Sequence, residues 1–182
     1  MHKIALLLAV SALAAAQETP APPAEYAKDA EATQPRPGPL GFSTLWMNPL
    51  EWTWVNSGRE DTEIYFHHEG GAQARMMSKA EGKEPRQQLE ETLERLRKLD
   101  PEARVTFEEE RKVNGAPLLC VQIVVGEQQD KTVVYYGYLY GDEARTVQLF
   151  TIAAQADLPQ LYVDLTSLLN GLEIAPQKRI VE

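Results

Sequence analysis

The sequence predicts an α+β domain in which an antiparallel β-sheet of about six strands is layered between two α-helices, an α/β/α sandwich. Three observations lead there. Two runs, "PLLCVQIVV" and "VVYYGYLY", are apolar on both alternating faces: Leu119, Val121, Ile123 and Val125 against Cys120 and Val124, then Val134, Tyr136, Tyr138 and Tyr140 against Val133, Tyr135 and Leu139. Strands read this way when both faces of their sheet are covered. Two amphipathic helical segments, one before these runs and one after, are available to cover them.

Taken in order, the first element is a β-hairpin over "EWTWVNSGREDTEIYFHH", two aromatic-rich runs flanking the turn-forming "NSGRED". "EPRQQLEETLERLRKLD" is a helix with Pro85 in its first turn and Leu89, Leu93, Leu96 and Leu99 on one stripe; Asp100-Pro101 ends it. "ARVTFEEERKVNGAPLLCVQIVVGE" is a strand, an Asn114-Gly115 turn and a second strand, the Asn-Gly pair being a strong hairpin signal. "KTVVYYGYLYGDEARTVQLFTIAAQ" repeats the pattern about Gly141-Asp142. The last helix starts near Asp157 with Pro159 just inside it, buries Leu158, Leu161, Leu165, Leu168 and Leu169, and stops at Asn170-Gly171.

The N-terminal "MHKIALLLAVSALAAAQE" has a basic start, an apolar run from Ile4 to Val10 and small residues at Ala14-Ala15-Ala16. That layout predicts a signal peptide over 1–16, cleaved before Gln17, and hence a secreted or periplasmic protein. The apolar run is shorter than the roughly 20 residues a membrane-spanning helix needs, so no membrane span is expected. Residues 17–39 are rich in Pro, Ala and charge and nearly free of large apolar side chains, which predicts a disordered linker. Residues 40–175 then form a single domain and 176–182 a loose tail.

Charge and cysteine usage exclude several function classes. The chain carries a formal charge of −9, and losing Lys3 with the signal peptide takes it to −10. Affinity for nucleic acid comes mainly from neutralising phosphates, so nucleic acid is not an expected partner. A lone cysteine, Cys120, makes no intramolecular disulfide, and its apolar surroundings mark a buried thiol.

The order hairpin, helix, two further hairpins and terminal helix, with "VNGAPLLCVQIVV" leading into "VVYYGYLYGDEARTVQLFTIAA" and a closing "LYVDLTSLLNGLEI", resembles the PsbP/Mog-like superfamily. The resemblance runs from about Leu45 to Ile174. It implies the layered domain deduced above and a place among the secreted bacterial members of unknown function. It supplies no residue-level functional motif, although some members bind divalent metal.

The chemistry-bearing residues are sparse. In "EIYFHHEGG" alternation puts Ile64, Phe66 and His68 on one face and Tyr65, His67 and Glu69 on the other, so His67 and Glu69 form the candidate metal pair, short of a third ligand. Glu108-Glu109-Glu110 is split in the same way and reads as a solvated strand. Trp46, Trp52 and Trp54 cluster at the start of the domain; they are either core or, where their face is open, a partner-binding patch. No catalytic residue and no cofactor is assigned. The expectation is a monomeric, non-catalytic domain that binds an unknown protein or small ligand. The alternatives are a metal-dependent or carboxylate-based hydrolase and a carrier of an apolar ligand held beneath the Leu89 helix.

Overall fold

Both faces of the long strands are covered, as their two-sided apolar pattern requires. The structure, a computed structural model, describes residues 23–55, 62–128 and 131–176. Eleven strands are present among them: β1 (Ala24–Tyr26), β2 (Gln34–Pro37), β3 (Ser43–Met47), β4 (Trp52–Val55), β5 (Glu63–His68), β6 (Gln73–Lys79), β7 (Arg104–Val113), β8 (Ala116–Gln128), β9 (Lys131–Gly141), β10 (Thr146–Ala154) and β11 (Leu172–Ile174). Helices α1 (Pro85–Arg97) and α2 (Leu158–Asn170) complete the set, with short 3-10 turns at Pro39–Gly41 and Gln155–Asp157.

Eight strands form one sheet in the order β1-β7-β8-β9-β10-β6-β5-β4, and β11-β3-β2 form a second, smaller sheet. The main sheet is therefore larger than the six strands expected. It is also mixed, because β1 runs parallel to β7 while every other neighbour is antiparallel. Two strands account for the difference. β6 reads "QARMMSK", whose alanine and methionines have little strand propensity, yet Ala74 and Met76 are buried between β5 and β10. β1 and β2 lie within 17–39, the segment expected as a disordered linker. Their own side chains bury little; backbone pairing to β7 and β3 orders them, and Pro35 and Pro37 are tolerated because β2 is an edge strand.

Each helix covers one face. α1 sets Leu89 and Leu96 on Leu119, Val121, Ile123, Leu139 and Phe150. α2 sets Leu161, Leu165, Leu168 and Leu169 against Phe66, Met76, Tyr138, Val147 and Leu149, and the small sheet adds Leu45, Met47 and Leu172 to that core. The α1 stripe is one residue shorter than expected: Leu99 lies past the helix end and is 66% exposed. Asn114 (φ 47°) and Gly115 (φ 84°) form the left-handed pair expected of an Asn-Gly hairpin. The Asn114 amide also donates to the Asn170 and Leu172 carbonyls, both at 2.8 Å, tying the β7–β8 turn to the end of α2. β4 and β5 pair as the expected hairpin; its "NSGRED" turn, the signal peptide and residues 177–182 lie outside the described residues.

Candidate functional site

The β4–β5 register sets Trp52 opposite His68, and the rings meet edge to face at 4.9 Å between centroids. Ile64 and Phe66 precede His68 on its face and are buried, so the strand carries His68 inward as well. A buried imidazole needs polar partners. His68 Nδ1 accepts a hydrogen bond from the Gly70 N–H at 2.9 Å, and Nε2 lies 3.2 Å from Asp164 Oδ2 of α2. That oxygen is off the line of a ring N–H bond, which leaves Nε2 buried without an aligned acceptor.

Glu51 stands just before β4, its carbonyl accepting from the Glu69 N–H at 3.3 Å. Burial, and then the negative charge of Asp164, pushes its carboxyl above the usual range, against a hydrogen bond from Asn48 that pulls it down. One donor atom from each of Glu51, His68 and Asp164 lies within 4.8 Å of the other two.

His67 and Glu69, the pair singled out from alternation, do not join this group. Both are exposed: His67 pairs with Thr53 and Gln73 through its backbone, and Glu69 occupies the turn after β5. The signal for His68 was present in the sequence, since its apolar face-mates mark it as the inward histidine. Nothing local pointed to Asp164, which is almost a hundred residues downstream.

The tryptophans are divided between two sheets. Trp52 is 2% exposed and Trp54 packs against the same core, on the shared strand face that alternation assigns them. The Arg36 guanidinium lies 3.8 Å over the Trp54 ring. Trp46 belongs to β3; its indole N–H donates to Glu173 at 2.8 Å and Lys28 Nζ sits 3.5 Å above its ring.

Two acids of β7 are engaged in ion pairs. Glu108 pairs with Arg86 and Glu109 with Arg111, on opposite faces of β7. Burial pushes the Cys120 thiol up, which keeps it protonated and unreactive.

Apart from this corner, a cleft of about 770 Å³ lies between the first turn of α1 and the β7–β8 hairpin. Pro23, Pro85, Pro117 and Leu119 give it mostly apolar walls, with Arg86 and Lys112 among the charged residues lining it. It lies beside the helix start and does not extend beneath Leu89.

No family model matches the chain, and no curated protein matches it. Solved structures do. The cyanobacterial PsbP protein CyanoP from Synechocystis sp. PCC 6803 aligns over 80% of this chain and 94% of its own, at 7% identity and a TM-score of 0.58. The fold is PsbP/Mog-like. The Ran-binding protein Mog1p of Saccharomyces cerevisiae agrees, aligning over 78% of this chain and 95% of its own at 12% identity and a TM-score of 0.53. This chain also spans half the length of a Bacteroides thetaiotaomicron structure, at 8% identity and a TM-score of 0.49. At such identities the PsbP/Mog-like likeness establishes architecture and transfers no site residue. Among the described residues no helix is long and apolar enough to cross a membrane.

Proposed function

We propose that this chain works outside the cytoplasm, secreted or periplasmic, as a monomeric, non-catalytic domain that binds a protein partner. The cleft between α1 and the β7–β8 hairpin carries this reading. Its apolar walls, with charged side chains among them, have the make-up of a surface that buries a partner's apolar anchor while polar contacts orient it. Mog1p, which shares the fold, is a Ran-binding protein, so the PsbP/Mog-like scaffold is compatible with a protein ligand.

The buried histidine supports a non-catalytic role. One nitrogen of His68 is occupied by the Gly70 N–H and the other is buried beside Asp164, leaving neither open to a substrate proton. A small apolar ligand is the second reading, because about 770 Å³ also falls in the size range of small-molecule sites.

Site-specific photocrosslinking in the native host tests the proposal, with the crosslinker at Arg86 or Pro117 and a control at Leu50, which is 83% exposed. One discrete protein adduct from the cleft positions, absent from Leu50 and, for the crosslinker at Arg86, lost in a Lys112→Glu/Pro117→Arg background, is the expected result. Equal labelling from all three positions overturns the cleft assignment, and a co-purifying small molecule with no protein adduct selects the second reading. Fractionation of the same cells tests export: mature chain confined to the cytosol contradicts it.

A further inference from the structure

The corner where α2 meets the β4–β5 hairpin holds a donor set that the binding role leaves unused. We propose that Glu51, His68 and Asp164 bind a divalent first-row transition-metal ion, His68 through Nε2 and each acid through one carboxylate oxygen.

Spacing is the first argument. Two donors each about 2.1 Å from an ion, and roughly 100° apart around it, stand about 3.2 Å from each other. The His68 Nε2 to Asp164 Oδ2 separation is 3.2 Å, and Glu51 offers a carboxylate oxygen within 4.8 Å of a donor atom on each of the other two residues. Alignment is the second. An oxygen sharing an ion with Nε2 sits to one side of the ring's lone-pair axis, whereas a hydrogen-bonded oxygen sits on it. Asp164 is off the hydrogen-bond line and Nε2 is buried with no other acceptor among the described residues, so the arrangement suits a shared ion better than a direct bond. Charge is the third: two carboxylates share one corner with a buried imidazole, and a cation among them offsets their repulsion. An imidazole with two carboxylates suits zinc or manganese better than a soft-ligand ion.

Ligation through Nε2 places the ring proton on Nδ1, which must then donate. At present Nδ1 accepts from Gly70, so the loop has to change what it presents. Residues 68–71 form a turn closed by the Gly71 N–H to the His68 carbonyl at 3.0 Å. Neither Glu69 nor Gly70 has a positive φ, the type I condition. Rotating the Glu69–Gly70 peptide converts the turn to type II and swaps the Gly70 N–H for the Glu69 carbonyl opposite Nδ1. Type II requires a positive φ at its third position, where this chain has Gly70. Gly70 is thus a positioning residue that allows the turn to serve either ring tautomer.

Calorimetric titration of the full chain with Zn²⁺, after chelator treatment, tests the site. One bound ion per chain is expected. Glu51→Gln and Asp164→Asn should each weaken it by about tenfold or more, and Gly70→Ala by roughly 10- to 100-fold. His67→Ala and Glu69→Gln should leave it unchanged. Denaturation in chelator identifies variants that fold as the wild type does, and zinc should raise the thermal midpoint of wild type but not of Asp164→Asn. Absence of one-site uptake overturns the proposal. So does uptake that survives in both folded carboxylate variants, or that is lost in His67→Ala. None of these outcomes depends on whether the α1 cleft holds a partner.

Discussion

Arg111 shows what a single buried cation does for this sheet. It is 8% exposed, donates through Nε to Glu109 at 2.7 Å and through Nη1 to the Tyr136 and Tyr138 hydroxyls at 3.0 and 3.3 Å, and lies 4.6 Å over the Tyr26 ring. Burial works against its charge, but the Tyr138 hydroxyl and the Glu109 carboxylate outweigh burial and hold the guanidinium protonated. Burial likewise pushes Tyr138 up to about 12, so both tyrosines remain hydrogen-bonding hydroxyls at neutral pH. Arg111→Met removes the donor fork and should cost about 2–4 kcal/mol in urea unfolding, mainly through the polar groups left behind. Arg111→Lys keeps the charge but not the fork, so it should recover less than half of that loss. Equal midpoints for wild type and Arg111→Met would show that apolar packing replaces the network. This cluster was hidden in the sequence because alternation gives a strand residue its face but not its cross-strand partners. The same limit explains His68: its burial was readable from Ile64 and Phe66, whereas its carboxylate partners depend on how α2 docks.

The helices separate residues that carry the fold from residues that merely share its periodicity. Leu165, on the face of α2 turned to the sheet, is 1% exposed; Leu99, written into the α1 stripe by spacing alone, lies beyond the helix and is 66% exposed. Leu165→Ala should cost about 2–5 kcal/mol, the range for a buried leucine cavity. Leu99→Ala should stay within about 0.5 kcal/mol, since it removes little buried surface. Denaturant titration of the two variants checks both, and similar losses would mean the Leu99 side chain is covered in solution. Local signals were sufficient for elements that carry their own chemistry: the Asn114-Gly115 turn, both helix bodies and the two-sided β8 and β9. They failed for β6, an alanine- and methionine-rich strand, and for β1 and β2, which pair at edges without burying much of themselves.

For the whole molecule, the sheet's unfinished edge is a hazard that the sequence counters. β1 pairs with β7 only over Arg111–Val113, so among the described residues nothing pairs with the outer side of β7 from Arg104 to Glu110. An open strand edge is a template for a second chain. Here it carries Glu108, Glu109 and Glu110, and its register is broken by a bulge between Val105 and Phe107. The run expected to be a solvated strand thus also protects the edge it lies on. Two approaching β7 edges would set six carboxylates against one another, and the chain's −9 charge adds a longer-range repulsion. Glu108→Thr/Glu110→Val keeps Glu109 with Arg111 but removes two of the three charges and raises strand propensity. That variant should shift from monomer to dimer and larger species across a concentration series in light scattering, while Glu110→Lys, which keeps a charge at the edge, should not. Added salt should strengthen the association, because it screens the remaining repulsion and leaves backbone pairing intact. A double variant that scatters as the wild type does at every concentration and salt would mean that the bulge alone is enough to keep the edge closed to other chains.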